Sequence, residues 1–336
     1  MKSRPATEFA RIVLLCLGCC LLLGVGGANG GEEEGLTPCT LMPLWSPQAQ
    51  FAGYYVAQDK GFYRKHGLDM VILKGGPACS GCEYLKDGRA DFAVLWLTTA
   101  IRQYGEGLRL VHVGQMVPRS SMMLVARKSR DIREPADLKG AKVGVWGGDL
   151  ALPPRAFFRK FGLEVKEVPQ SYTVNLFLRG GVDAASAMWY NEYHTILNSG
   201  IDPDELTVFP MWEYGLNFPE DGLYMMEAAY RKNPSLAAAC VQASLEGWAY
   251  AFDHPEEALD IVMQYMQAAK ISANRTHQRW MLARMRDLIM PAMKTGDHRP
   301  LNRTDFTSVS TFLLQSGLIR EAPDFDAFTG GPRVAP

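Results

Sequence analysis

Short apolar runs recur along the chain, separated by stretches whose apolar positions follow helical spacing. Leu41–Leu44 reads as a buried strand. Trp45–Gln50, with Pro47 and small polar residues, reads as a loop. Phe51–Lys60, stopped by Gly61, reads as a helix. Met70–Leu73 is a second strand, ended by Gly75-Gly76-Pro77. A short helix over Glu83–Asp87, a strand over Ala90–Leu95, a helix over Thr98–Tyr104 and a strand over Leu108–Met116 follow. This alternation predicts an α/β chain with a largely parallel sheet.

Ser121–Ala126 is a strand with no helix before it, which breaks the alternation and suits a crossing to a second lobe. A turn-rich connector, Arg133–Gly140, leads to the strand Lys142–Trp146, then to Gly147-Gly148-Asp149 and a helix over Leu152–Phe161. Strands at Glu164–Val168, Ala184–Met188 and Leu206–Phe209 alternate with helices at Tyr172–Leu178 and His194–Asn198. Leu223–Met226 reads as the return crossing. Helices are then expected at Pro234–Phe252, Glu256–Met266, Arg275–Met290 and Asp305–Leu314, punctuated by Pro255 and Pro291. The expected organisation is a leader over 1–30, the first part of lobe 1 over 31–122, lobe 2 over 123–222, and a return to lobe 1 with its C-terminal helices over 223–336. The crossings Arg119–Leu124 and Asp221–Tyr224 would form the hinge.

The leader is read from its basic start (Lys2, Arg4, Arg11), its apolar core Ile12–Val25 and the small residues Ala28-Asn29-Gly30. Its core is short for a membrane span. Cleavage near Gly31 gives an exported chain. A lipoprotein modified at Cys19 or Cys20 ranks second, because Cys16-Leu17-Gly18 fits that site poorly, and an uncleaved anchor ranks third. Beyond residue 30 the chain carries 32 Lys and Arg against 35 Asp and Glu. That balance points to neither nucleic acid nor an anionic membrane as a partner. Of the remaining cysteines (Cys39, Cys79, Cys82, Cys240), Cys79 and Cys82 stand in a C-x-x-C, read as a structural disulfide or as two free thiols.

The histidines (His66, His112, His194, His254, His277, His298) show no metal-ligand spacing, and no nucleophile-elbow or zinc-protease motif occurs. The pattern suits a binding site without chemistry, cofactor or metal. Trp45, Trp96, Trp189 and Tyr190 stand at expected strand ends, where open α/β sheets bind ligands, though each also fits ordinary core packing.

Trp45–Asp69 resembles the opening of type-2 periplasmic solute-binding proteins of ABC importers, and Asp137–Gly144 the second-lobe entry of that superfamily. Gly181–Ala185 with Met188-Trp189-Tyr190-Asn191-Glu192-Tyr193, then Asn217–Tyr224 and Gly247–Phe252, is similar to the thiamine-pyrimidine-precursor group. The resemblance covers nearly all of the chain beyond the leader. It implies the two-lobed α/β type-2 periplasmic-binding-protein fold, with a hinge that closes on a small-molecule ligand and a helical C-terminal segment on lobe 1. It further implies a monomer that partners an ABC permease in the inner membrane from the periplasm.

The same group includes fungal enzymes that build the pyrimidine from their own histidine and bound pyridoxal phosphate. Here Trp96-Leu97-Thr98-Thr99 stands where their reactive histidine lies, Arg89 stands for the cofactor lysine, and Pro219–Met226 holds no cysteine. Arginine stays protonated and forms no Schiff base. For an aminopyrimidine, Trp45, Trp96, Trp189 and Tyr190 would be walls. Glu192 would accept hydrogen bonds from the exocyclic amine and a protonated ring nitrogen. Asn191, Gln50, Ser46 and Asp221 are further polar candidates, and Gly147 and Gly148 would present backbone N–H groups. Sulfonate, nitrate and riboflavin binders share the opening pattern.

Overall fold

The computed structural model describes residues 35–295 and 301–331; the expected leader, with Cys16, Cys19 and Cys20, lies outside the described residues. The strands are β1 (Thr37–Met42), β2 (Leu68–Ile72), β3 (Phe92–Leu95), β4 (Leu110–Val117), β5 (Met122–Arg127), β6 (Lys142–Val145), β7 (Lys166–Pro169), β8 (Ala184–Met188), β9 (Leu206–Pro210) and β10 (Glu220–Met226). They form two sheets, ordered β2-β1-β3-β10-β4 and β7-β6-β8-β5-β9, one in each lobe of an α/β fold. The two sheets repeat one design. β1 pairs in parallel with β2 and β3, as β6 does with β7 and β8. β10 runs antiparallel between β3 and β4, as β5 does between β8 and β9. The antiparallel strand of each sheet is the one that has just crossed from the other lobe. β3 and β8 are buried at every position, as strands covered by helices on both faces must be.

Two expected features differ. Leu223–Met226, read as the crossing itself, lies inside β10, so the return crossing spans 211–219 and Asp221 belongs to the first sheet. The helix expected to end before Pro291 runs Arg275–Thr295. A proline removes the N–H that would bond the carbonyl four residues back. That carbonyl, of Asp287, accepts instead from Arg119 Nη2 at 3.0 Å, and Arg119 lies in the first crossing.

The C-terminal helices cover the first sheet through glycine contacts. The helix Ala52–Asp59 crosses the helix Pro234–Asp253 so tightly that a Cβ on Gly53 would lie 2.3 Å from the Trp248 indole, and one on Gly247 would lie 2.0 Å from the Gly53 carbonyl oxygen. Trp248, Tyr54, Tyr55 and Tyr63 fill the space beside this crossing and are almost wholly buried.

The two crossings are stitched together by side chains. Glu220 accepts from the Ser121 backbone N–H (2.7 Å), the Ser121 hydroxyl (2.9 Å) and the Ser120 hydroxyl (3.1 Å). Asn217 Oδ1 accepts from the Ser120 N–H at 2.8 Å, and its Nδ2 donates to the Pro118 carbonyl at 2.9 Å. Burial and the neighbouring Asp221 push the Glu220 carboxyl up to about 8.

Candidate functional site

A cavity of about 330 Å³ lies between the lobes, walled by the segments that leave the carboxyl ends of β1, β2 and β3 on one side and of β6, β7 and β8 on the other. Its first-lobe wall holds Leu44, Trp45, Gln48 and Gln50 after β1, the Gly76–Cys82 stretch after β2, and Leu95, Trp96 and Thr99 at the end of β3. Its second-lobe wall holds Trp146, Gly147, Asp149 and Leu150 after β6, Tyr172 after β7, and Met188, Asn191 and Glu192 after β8. Parallel strands put their carboxyl ends on one edge, and duplicated topology makes the two edges face each other.

The aromatic rings set the shape. Trp45 and Tyr172 meet edge to face across the cleft, with centroids 4.8 Å apart. Trp96 and Trp146 are both buried, and the Trp146 indole N–H donates to the Ser171 carbonyl at 3.1 Å. Trp96 Nε1 is buried without a hydrogen-bond partner.

Two buried carboxyls flank the cavity. Glu192 opens the helix Glu192–Asn198. Its Oε2 accepts from the Met188 N–H at 3.0 Å, and its Oε1 accepts from Asn191 Nδ2 at 2.8 Å. Burial pushes this carboxyl up to about 7, against the pull of those hydrogen bonds. Asp221 stands behind Gln50, whose Nε2 reaches both carboxylate oxygens at 3.1 and 2.9 Å. Gln48 Nε2 in turn donates to Gln50 Oε1 at 2.6 Å. Burial pushes Asp221 up to about 7 as well. Gln50 lowers it, and so, less strongly, does the Trp96 indole, which faces it outside full hydrogen-bond geometry. Asp221 also sits at φ 42°, a left-handed conformation sparsely populated by non-glycine residues.

Charge clasps the cleft at one margin. Thr99 Oγ1 and Arg102 Nη2 reach Asp149 Oδ2 at 2.7 and 3.2 Å, and Arg102 Nε reaches Asp149 Oδ1 at 2.9 Å. Arg102 comes from the first lobe and Asp149 from the second. Among the described residues no Lys or Arg lines the cavity.

Of the residues singled out from sequence, the structure brings Trp45, Gln50, Trp96, Gly147, Asn191 and Glu192 to the cavity wall. The others lie off it. Tyr190 is buried beside the hinge, and Ser46 packs near Gly76. Gly148, at φ 63°, shapes the turn without lining the cavity. Trp189 faces Arg284, whose guanidinium lies 4.9 Å from its ring. Asp221 does not line the cavity and holds the Nε2 of Gln50, which does.

Sequence reading missed Trp146, although it ends a strand just as Trp96 does, and Tyr172, which follows a short exposed strand and carries no local signal. It also missed Asp149 and Thr99. Cys79 and Cys82 both line the cavity as free thiols, so the disulfide reading of that pair is not realised here. Burial pushes the Cys82 thiol up to about 12. Among the described residues no group of three or more His, Cys, Asp or Glu side chains could hold a metal ion.

A family model described as NMT1/THI5 like matches residues 48–258. A riboflavin-binding protein of Chloroflexus aurantiacus is 25% identical over 288 residues, covering 81% of this chain and 80% of that one. A formylaminopyrimidine-binding protein of Halalkalibacterium halodurans is 24% identical over 266 residues, covering 75% and 78%. A weaker match, 19% identical and covering 65% and 60%, is a protein of Schizosaccharomyces pombe named 4-amino-5-hydroxymethyl-2-methylpyrimidine phosphate synthase. Among solved structures, the periplasmic aliphatic sulphonate binding protein of Escherichia coli superposes with a TM-score of 0.65 at 17% identity, covering 86% of this chain and 96% of that one.

Proposed function

The chain belongs to the NMT1/THI5-like family, and from that premise we propose that it is the solute-binding component of an ABC importer, holding an aminopyrimidine between its lobes. The observation that carries this reading is the cavity itself: tryptophan walls around a buried, half-satisfied carboxylate. A flat heteroaromatic with a polar edge needs apolar faces and a few fixed acceptors. Glu192 supplies the acceptor, and Trp45, Trp96 and Trp146 supply the faces. The bound ring donates its exocyclic amine and a protonated ring nitrogen to Glu192, and closure of the hinge buries it.

Charge and size separate this ligand from the ones named for relatives and neighbours. A sulfonate or nitrate is repelled by carboxylates, and the wall carries Glu192 and Asp149 with no Lys or Arg among the described residues. A cavity of about 330 Å³ is near the small end of ligand sites and suits one heterocycle better than a three-ring flavin. Synthase chemistry is disfavoured by Trp96 and Arg89, which stand where the fungal enzymes are expected to carry histidine and lysine. On this reading the leader over 1–30 delivers the protein to the periplasm, where it works as a monomer with a permease in the inner membrane.

The test is a thermal-shift series on protein from Gly31 onward, unfolded and refolded to strip carried-over ligand. Hydroxymethyl- and formylaminomethyl-aminopyrimidine are compared with thiamine, riboflavin, taurine, nitrate and pyridoxal phosphate. A ligand at a hundred times its Kd adds about 2.7 kcal/mol of stability. Stabilisation by the aminopyrimidines alone is expected. Stabilisation by taurine, nitrate or riboflavin alone overturns the ligand assignment, and turnover of pyridoxal phosphate overturns the non-enzymatic reading.

A further inference from the structure

We infer that His277 is a positioning residue that ties the Glu192 carboxylate to lobe closure and makes ligand retention depend on the protonation of a histidine pair shared by the two lobes. The inference rests on the proposed aminopyrimidine pocket for its binding readout, and on geometry alone for its conformational one.

The helix Arg275–Thr295 touches both walls of the site. On the first-lobe side, Gln278 Oε1 accepts from the Ala49 N–H at 2.7 Å, and Met281 Sδ lies 3.2 Å from the Gln50 N. On the second-lobe side, His277 Nε2 lies 2.8 Å from Asn191 Oδ1, the same Asn191 whose Nδ2 donates to Glu192. His277 Nδ1 lies 2.9 Å from His194 Nδ1. Trp280 stacks on the His194 ring at 4.6 Å and 8°, and its indole N–H donates to the Trp189 carbonyl at 3.1 Å. An unbroken line of contacts therefore runs from the pocket carboxylate through Asn191 to a first-lobe histidine and on to a second-lobe one.

Proton accounting makes this line responsive to acid. Asn191 presents its oxygen to His277, so His277 Nε2 carries a proton. In the neutral ring Nδ1 is then bare and accepts from the His194 Nδ1–H. A first added proton is accommodated on His277 Nδ1 when the His194 proton moves to Nε2, so that the His277 Nδ1–H donates to the bare His194 Nδ1. A second added proton sets two N–H groups and two charges against each other. Burial already holds both rings below the usual histidine range, and His194 lowers His277 further.

The ionisable groups around the pair are Glu192, reached from His277 through Asn191, Tyr193 beside the Trp280 ring, and Arg284 on the His277 helix. Arg284 lies over the Trp280 ring at 4.6 Å and is paired with Asp287. Arg275 and Arg279 are engaged by Glu256 and Asp260 at the more exposed start of the helix. A histidine whose pKa is lower closed than open favours closure above its open-state pKa and opposes it as pH falls.

Two measurements test this. Calorimetric titration with 4-amino-5-hydroxymethyl-2-methylpyrimidine between pH 8 and 5 should show Kd rising in the wild type below about pH 6.5, with a slope approaching one decade per pH unit per linked proton. In His277→Gln, which keeps an N–H donor but cannot titrate, the slope should fall, and the difference between the two profiles, in which the ionisation of the ligand and of Glu192 cancels, should display it. Identical profiles overturn the inference. Small-angle scattering of the ligand-free wild type should show a larger radius of gyration at pH 5.5 than at pH 7.5. An unchanged radius overturns it without recourse to any ligand or variant. If no pyrimidine binds but the radius responds to pH in the wild type and not in His277→Gln, the pocket assignment fails and the latch stands; the same response in both proteins assigns it to the buried carboxyls Glu192, Asp221 and Glu220 and overturns the latch.

Discussion

Glu192 illustrates what one residue does in a low-dielectric setting. It is held by a backbone N–H and an amide N–H, and burial raises it to about 7, so a donor on the ligand stabilises its charged form. Glu192→Gln is expected to weaken aminopyrimidine binding by about 1.5–3 kcal/mol, the loss of a charge-assisted hydrogen bond, with an unchanged circular dichroism spectrum. Calorimetry decides, and an unchanged Kd removes Glu192 from the site. This residue was legible in the sequence mainly through the resemblance of Met188–Tyr193 to the pyrimidine-binding group, helped by the fit of a carboxylate to an exocyclic amine and a protonated ring nitrogen. Tyr172 was not, because a ring that leaves a short, exposed edge strand has the same local pattern as any loop tyrosine. His277 was not legible either: it lies in the C-terminal helix, far along the chain from every residue it serves.

At the scale of elements, two contacts carry predictions. Gly53 and Gly247 let two helices cross at backbone distance. Gly53→Ala forces a Cβ into the Trp248 ring and is expected to cost about 1–3 kcal/mol through overpacking, read as a lower urea midpoint at unchanged slope.

The hinge carboxyl behaves differently. Glu220 has its pKa raised from 4.5 to about 8 in the folded protein. Its contribution is therefore fully present below about pH 4.5 and lost as pH rises through 8. Glu220→Gln, which keeps an acceptor for the Ser121 N–H, is expected to remove that loss. The variant should gain Tm relative to wild type at pH 8.5 compared with pH 5.5, and a constant Tm difference across this range refutes the assignment. The alternating elements themselves were readable from apolar period. The run of the last long helix through Pro291 was not, because the donor that satisfies the freed Asp287 carbonyl is Arg119, a residue of the hinge.

For the whole molecule, contacts that join the two lobes include Arg102 and Thr99 to Asp149, Trp45 to Tyr172, Trp280 and Arg284 to the His194 and Trp189 region, and the Asn191–His277–His194 line. Asp149→Ala removes one clasp without touching either core. It is expected to weaken ligand binding by roughly 3–10-fold, about 1 kcal/mol for a partly buried ion pair, through faster release and not slower association. Stopped-flow kinetics measure this, and an unchanged release rate rejects the clasp.

The α/β alternation, the duplicated strand–loop–helix units and the aromatic residues at strand ends are readable along the chain alone. These follow from apolar period and residue type, which act over a few neighbouring positions. Packing in three dimensions sets which strand ends face each other, that Asp221 lies in the first sheet behind Gln50, that Cys79 and Cys82 line the cavity, and that a C-terminal helix reaches Asn191. Those facts depend on side chains meeting across a cleft between two sheets. A local pattern records that a residue is buried; the partner it is buried against is set by the packing of the two lobes.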